Sequence, residues 1–169
     1  MTALSGNQTI YATESISIEG EVKGEYGLEV IFLGLKGIKI SVDLSLLENS
    51  SASVSMRGVS FANADLLAIG RIGKGSKGSS LSIEQAAFLA GGMVSFSPSI
   101  EIKGGQASAS HKAYIYNIDQ QALNYLMSRG LGKEKAELLL LLSFLKVNEN
   151  HPFRSSIENA FANFRKKVE

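Results

Sequence analysis

The chain has 169 residues, of which 17 are basic and 16 acidic, a formal net charge of +1, and no cysteine. This length fits one domain, or one domain with an appendage, and the balanced charge gives no electrostatic footprint for nucleic acid. Without cysteine the chain itself has no disulfide, no thiolate metal ligand and no thiol nucleophile. We therefore expect neither a nucleic-acid-binding protein nor a thiol enzyme.

The first residues and the apolar runs bear on where the protein resides. The stretch MTALSGNQTI lacks the basic region and apolar segment of a signal peptide. The five leucines at 138–142 are far too few to cross a bilayer. We expect a cytoplasmic protein without a membrane span.

The first two thirds of the chain have the two-residue period of β-strands. Strand centres recur about every 11–15 residues, with Gly, Ser and Asn between them. The alternating segments are 16–22, 38–44, 52–56, Leu67/Ile69, Leu81/Ile83, Val94/Phe96, Ile100/Ile102 and 107–115.

This spacing is typical of a sandwich, a barrel or a solenoid. Neither Asn-Gly nor Asp-Gly occurs, which weakens the case for tight hairpins in a meander. Short strands with Gly and Ser turns fit the coils of a β-helix equally well, and no tight repeat motif decides between them. The pattern alone leaves the β-helix, the sandwich and the barrel open.

The segment ASASHKAYIYNID closes the strand region. With a period of two, Ala109, His111 and Ala113 share one face, and Tyr114 and Tyr116 lie on the other. A histidine among alanines on an inward face is either a ligand or a core residue with its hydrogen bonds satisfied, and both interpretations stay open.

After Asp119 the period changes to that of helices. Asp119 suits an N-cap, and Ile118 can pack on Leu123 as a hydrophobic staple. The first helix is predicted to end near Arg129, with Gly130 just beyond it. We place a domain boundary here.

The boundary separates a β domain, 1–118, from a helical domain, 119–169. Gly132 opens a second helix whose leucines, 138–142, cover every side. The β domain covers one side, so a third helix, another chain or both must cover the rest. Pro152 suits the first turn of that third helix.

Three motifs, in order and at matching distances, resemble the SufB/SufD family of iron–sulfur cluster assembly scaffold proteins. The stretch IDQQALNYLMSRGLGKEKA is similar to the family's I-D-E-E-Q-L-F-Y-L-M-S-R-G-L-x-E-E-E-A. PSIEI looks like its P-A-L-E-I, and ASHKA looks like its A/C-S-H-G-A-T. The resemblance covers roughly residues 58–146.

The resemblance implies a mainly β fold: a right-handed parallel β-helix followed by a small C-terminal α-helical domain. It further implies a non-catalytic scaffold subunit, not an enzyme, in a Suf-type complex. Such a subunit docks a SufC-like ABC ATPase through its C-terminal helices. It pairs with a SufB/SufD-like chain, or with itself as a homodimer, through its last β-helix coils.

Two other functions are weighed against the scaffold. Parallel β-helices also include polysaccharide lyases and hydrolases, but Asp43, Glu84 and Glu101 lie on separate strands and form no evident pair. The other alternative is a degenerate structural adaptor that binds the ATPase without holding iron or sulfur.

The chain departs from the family pattern in its cysteines and its length. Gln85 stands where SufB has a key cysteine, and Ala109 stands at the A/C position. An amide cannot accept persulfide sulfur, so the chain is more like SufD. It is also much shorter than typical members, without their N-terminal helical region and several coils.

The resemblance assigns two groups of functional residues. His111 matches a histidine at the SufB–SufD interface and is the one candidate metal ligand, for a transient iron–sulfur cluster whose thiolates come from another chain. The expected dimer interface comprises Ala109, His111, Ala113, Tyr114 and Tyr116. The expected ATPase-binding residues are Tyr125, Leu126, Met127, Arg129, Leu131, Leu141 and Phe144.

Overall fold

The computed structural model describes residues 2–104 and 106–168. Eight strands precede three helices. The elements are β1 (Ala3–Ala12), β2 (Ile16–Gly34), β3 (Ile38–Leu46), β4 (Ser51–Ser60), β5 (Ala64–Ile72), β6 (Ser80–Leu89), β7 (Val94–Ile102), β8 (Ser108–Tyr116), α1 (Gln120–Ser128), α2 (Lys133–Phe144) and α3 (Arg154–Val168).

The strands form a parallel β-helix with two faces. The hydrogen-bonded order is β7-β5-β3-β2-β4-β6-β8, with β1 on β2, and all pairs are parallel. Successive strands alternate between the two faces. Two parallel neighbours on one face are therefore connected through a strand on the opposite face, which serves as the crossover that parallel pairing requires. The resemblance therefore led to the correct fold, and the sandwich and the barrel are excluded.

Strand β2 belongs to both faces. Its residues 16–22 pair with β3, and residues 25–34 pair with β4. Between these parts Gly24 has φ of 80°, a left-handed conformation that glycine adopts without a Cβ penalty. We call β1, the second part of β2, β4, β6 and β8 the helix-side sheet. The first part of β2, β3, β5 and β7 form the far sheet.

The coils have similar lengths, so inward residues stack in rows. Val30 pairs with Met56, 26 residues later, and Met56 pairs with Gln85, 29 residues later. Leucine, isoleucine and valine side chains from both sheets fill the interior between them, such as Ile40 from the far sheet and Val54 from the helix-side sheet. The outer face of the far sheet is largely polar and carries an ion pair between Arg71 and Asp43.

A second apolar cluster joins the helix-side sheet to the helices. The outward residues Ile31, Leu33 and Val59 are buried against residues of α2 and α3, including Leu141 and Ile157. This contact shows what covers the leucine-rich helix: the sheet on one side and α3 on another. Burial on both faces also explains the unbroken apolar run of β2 from Val30 to Leu33.

Residues 117–119 connect the last strand to the first helix. β8 ends at Tyr116 and α1 begins at Gln120. The Asp119 carboxylate accepts a hydrogen bond of 2.9 Å from the Gln121 backbone N–H, as an N-cap does. Gly130, with φ of 91°, follows the end of α1.

The alternation of the sequence did not predict β1 or the second part of β2. β1 contains the polar run Ser5–Thr9, which has no apolar alternation, and its register shifts between Leu4 and Gly6. The second part of β2 lacks alternation because both of its faces are buried. Among residues 2–104 and 106–168, none of the helices combines the length and the apolar character needed to cross a membrane.

Candidate functional site

The last coil of the β-helix has a free edge. Among the described residues, β8 pairs only with β6, in unbroken register from Ser80–Ser108 to Phe88–Tyr116. The other edge of β8 therefore presents backbone N–H and C=O groups without a strand partner in the chain. Such an edge is a template for a strand of another chain.

His111 lies on this edge strand and is exposed. Its register partner is Ile83, which is buried in the interior, so His111 occupies an inward row at the uncovered end of the coil stack. Ala109 and Ala113 are the inward-facing residues of β8 on either side of it. The described residues contain no group of three or more His, Cys, Asp or Glu that could hold a metal. His111 is therefore not part of a three-ligand metal site within this part of the chain.

Gln85 fills the interior position next to Ala113. Its side chain is completely buried, and its Nε2 donates a hydrogen bond of 2.8 Å across the core to the Leu66 carbonyl oxygen. Its Oε1 is buried without a hydrogen-bond partner among the described residues. A buried acceptor left in this state costs roughly 1–3 kcal/mol.

Tyr114 faces outward and is exposed, as the alternation of β8 predicts. Its hydroxyl donates a hydrogen bond of 3.3 Å to the Glu84 carboxylate. Burial raises the pKa of the Tyr114 phenol, and the charge of Glu84 and the hydrogen bond to it act in the same direction. The phenol is thus a stable donor at neutral pH, beside the free edge.

Tyr116 packs on the protein's own helices. Its ring stacks on Phe144 with centroids 4.2 Å apart and planes 10° apart, and its hydroxyl donates a hydrogen bond of 3.5 Å to the Leu140 carbonyl. Burial raises the pKa of the Tyr116 phenol, and the Asp119 charge adds to the effect. Half-buried Tyr116 therefore ties β8 to α2 and has less surface to offer a second chain than Tyr114.

Arg57 makes a second contact between the helix-side sheet and α2, and no sequence pattern predicted it. It is 8% exposed. Its Nη1 donates to the Phe144 carbonyl oxygen at 3.5 Å and its Nη2 to the Ser55 hydroxyl at 2.8 Å. Its Nε lies 3.5 Å from the Glu29 carboxylate. An outward arginine on a strand is normally solvated, so only the helix packed above it explains its burial.

The first helix presents an exposed surface, which we call the α1 patch: Tyr125, Met127 and Arg129. Tyr125 is 58% and Met127 42% exposed. The Arg129 guanidinium lies 5.3 Å from the centre of the Tyr125 ring, within cation–π range. Leu126 and Leu131 beside the patch are half-buried. Met127 lies two residues from Tyr125 and from Arg129, so it faces a different side of α1 from that pair. Large apolar side chains exposed on one short helix are typical of a contact site.

Two of the residues expected to bind the ATPase lie elsewhere. Leu141 is completely buried in the cluster between the helices and the sheet, so its side chain is not available to a partner, and its placement on the docking surface was wrong. Phe144 is half-buried under Tyr116. The five consecutive leucines did not indicate which of them face the core, because they make every side of the helix equally apolar.

The three carboxylates considered for glycosidic chemistry are engaged separately. Asp43 pairs with Arg71, and Glu101 lies 3.0 Å from the Lys103 amine. Glu84 accepts its hydrogen bond from Tyr114. They lie on three different strands, β3, β7 and β6, and each has its own hydrogen-bond or ion-pair partner.

One protein family matches the chain over most of its length. The family described as "SUF system FeS cluster assembly, SufBD core domain" matches residues 35–144, about two thirds of the chain. The match runs from the turn before β3 to the end of α2 and so includes the free edge and the α1 patch. No curated protein matches the chain.

The burial of Leu141 gives a direct test of its reassignment. Leu141→Ala should lower the free energy of unfolding by roughly 2–5 kcal/mol, because it removes a fully buried side chain. Tyr125→Ala, at the exposed α1 patch, should change it by less than about 1 kcal/mol. Urea unfolding followed by circular dichroism measures both. Equal effects of the two substitutions would contradict the placement of Leu141 in the core.

Proposed function

The chain belongs to the SufB/SufD family of the SUF system for iron–sulfur cluster assembly, and we propose that it serves there as a non-catalytic scaffold subunit. In this role it pairs with another chain through β8 and docks a SufC-like ABC ATPase through its helices. The observation that carries the proposal is the free, regular edge of β8 at the end of the coil stack.

The shape of β8 supports its use as the pairing strand. Its register has no bulge, whereas β1 at the opposite end of the stack has a register shift, a feature that discourages edge pairing. In the far sheet, the edge strand β7 carries Pro98, which has no backbone N–H to donate. Ala109 and Ala113 are small enough for a second backbone to approach closely. The partner is a SufB/SufD-like chain or a second copy of this chain.

The cluster is the cargo of this assembly and would lie at the seam between the paired chains. His111 is exposed there and can supply one neutral imidazole to iron. This chain has no cysteine, so the thiolates must come from the other chain. The alternative role of His111 is a hydrogen bond across the seam between small residues.

The helices support the docking of the ATPase. The α1 patch combines an exposed tyrosine and methionine with an arginine, residue types that are enriched in protein interfaces. Arg129 is positioned to meet an acidic group of the ATPase while stacked on Tyr125. ATP hydrolysis belongs to that partner.

A second candidate is a structural adaptor that binds the ATPase without holding iron or sulfur. The buried amide of Gln85 favours it, because this position corresponds to the SufB cysteine and cannot take part in sulfur transfer. The two functions differ in whether a complex of this chain with a cysteine-bearing SufB-like chain contains iron.

Pairing through β8 is tested by placing a charge at the free edge. Ile115 is an inward-facing residue of β8 and is 48% exposed because no coil covers it, so Ile115→Lys should leave the fold intact. Its charge would have to be buried at the seam, which should weaken association at least about tenfold. Analytical ultracentrifugation of the chain alone and with a SufB/SufD-like chain measures this.

Ser110→Lys, on the outer face of the same strand, is the control and should associate normally. Association of Ile115→Lys at the wild-type affinity would refute the edge as the seam.

Docking of the ATPase is tested at the α1 patch. Met127→Glu places a charge where an apolar contact is proposed and should weaken binding of the purified ATPase at least about tenfold. Leu47→Glu alters a similarly exposed apolar residue in the turn after β3 and should bind normally. Isothermal titration calorimetry gives the affinities. If both variants bind like the wild type, the α1 patch is not the docking surface.

A further inference from the structure

A cleft of about 300 Å³ lies between α2 and α3, apart from both surfaces described above. Leu138, Phe161 and Ala162 give it an apolar floor and wall. The charged residues around it are Glu134, Lys135, Glu158, Arg165 and Lys166. Its volume is at the lower end of the range of about 300–1,000 Å³ for ligand pockets, a size that suits an inserted side chain better than a cofactor.

The charges of the rim favour an acidic occupant. Glu158 is already paired with Arg154 at 2.7 Å. Lys135 and Lys166 are exposed and form no salt bridge within the part of the chain that the structure describes. Of the rim carboxylates, only Glu134 is comparably exposed and unpaired among those residues. The two lysines therefore leave the rim positive.

Arg165 adds a third positive charge to the same wall. Its Nη2 lies 3.1 Å from the carboxylate of Glu137, which is 7% exposed. Its Nε is buried and has no hydrogen-bond partner among the described residues. The side chain as a whole keeps 22% of its surface exposed, and a carboxylate that enters the cleft would pair with its positive charge there.

The position of the cleft indicates which partner reaches it. The α1 patch leads through Leu131 and Gly132 directly into the first turn of α2, where Glu134 and Lys135 line the cleft. The opposite end of α2 is anchored on the helix-side sheet by Phe144, about 9 Å along the helix from Leu138. A protein docked on the α1 patch thus extends to the cleft more readily than a chain paired with β8.

We propose that the cleft between α2 and α3 receives an apolar side chain flanked by carboxylates from the ABC ATPase. The apolar side chain packs on Leu138 and Phe161, and the carboxylates lie against Lys135, Lys166 and Arg165. This inference rests on the proposed function and defines the acidic, apolar character of the ATPase segment that binds.

The inference is tested by filling the cleft and by reversing its charge. Ala162→Phe blocks it at an exposed position of α3, and Lys135→Glu combined with Lys166→Glu inverts the rim. Each should weaken binding of the purified ATPase at least tenfold, and the loss from charge reversal should shrink at high salt. Ser156→Phe, an exposed position of α3 outside the cleft, and Lys39→Glu on the far sheet are the matched controls. Thermal unfolding establishes that every variant is folded.

The outcomes separate this inference from the proposed function. Normal binding by both cleft variants, with weakened binding by Met127→Glu, would overturn the cleft and leave docking on the α1 patch standing. Equal losses for Ala162→Phe and Ser156→Phe would also overturn the cleft. If the wild-type chain does not bind the ATPase at all, the proposed docking fails and the cleft inference fails with it.

Discussion

The packing of α2 and α3 on the outer face of the helix-side sheet is the contact on which the other features depend. Ile31, Leu33 and Val59 project out of the β-helix and are buried only because Leu141 and Ile157 lie over them. The same stretch of β2 sends alternate residues into the β-helix interior, so one strand supports two cores. The helices therefore cannot separate from the sheet without exposing a large apolar surface to water.

This packing of the helices on the sheet connects the two proposed partner surfaces through a single helix, α2. At its C-terminal end, α2 contacts β4 through Arg57 and the edge strand β8 through the stack of Phe144 on Tyr116. At its N-terminal end it follows the α1 patch and lines the cleft. An ATPase on the helices and a second chain on β8 would thus touch opposite ends of one rigid element. A packed element that contacts both sites is able to carry energetic coupling between them.

The sequence revealed local structure well and burial poorly. Alternation located the core-facing strands, and Asp119 marked the start of α1, because these features depend on neighbouring residues. The choice of the β-helix required the family motifs, since spacing alone fits several folds. β1 and the second part of β2 lack alternation and were missed. The burial of Arg57, Tyr116 and Leu141 arises where helices meet strands distant in sequence, and the cleft arises where α3 packs beside α2. No local pattern encodes these contacts.

The central claim is that this chain holds a seam at which a cluster forms, using thiolates from a partner. The most direct measurement is the iron and sulfide content of a complex reconstituted from this chain, a SufC-like ATPase and a cysteine-bearing SufB-like chain. The scaffold account predicts a stable complex that contains iron and sulfide, in amounts that fall when His111→Ala replaces the wild type. A stable complex with the ATPase, but no iron or sulfide above that of the SufB-like chain alone, would contradict it and identify the chain as an adaptor.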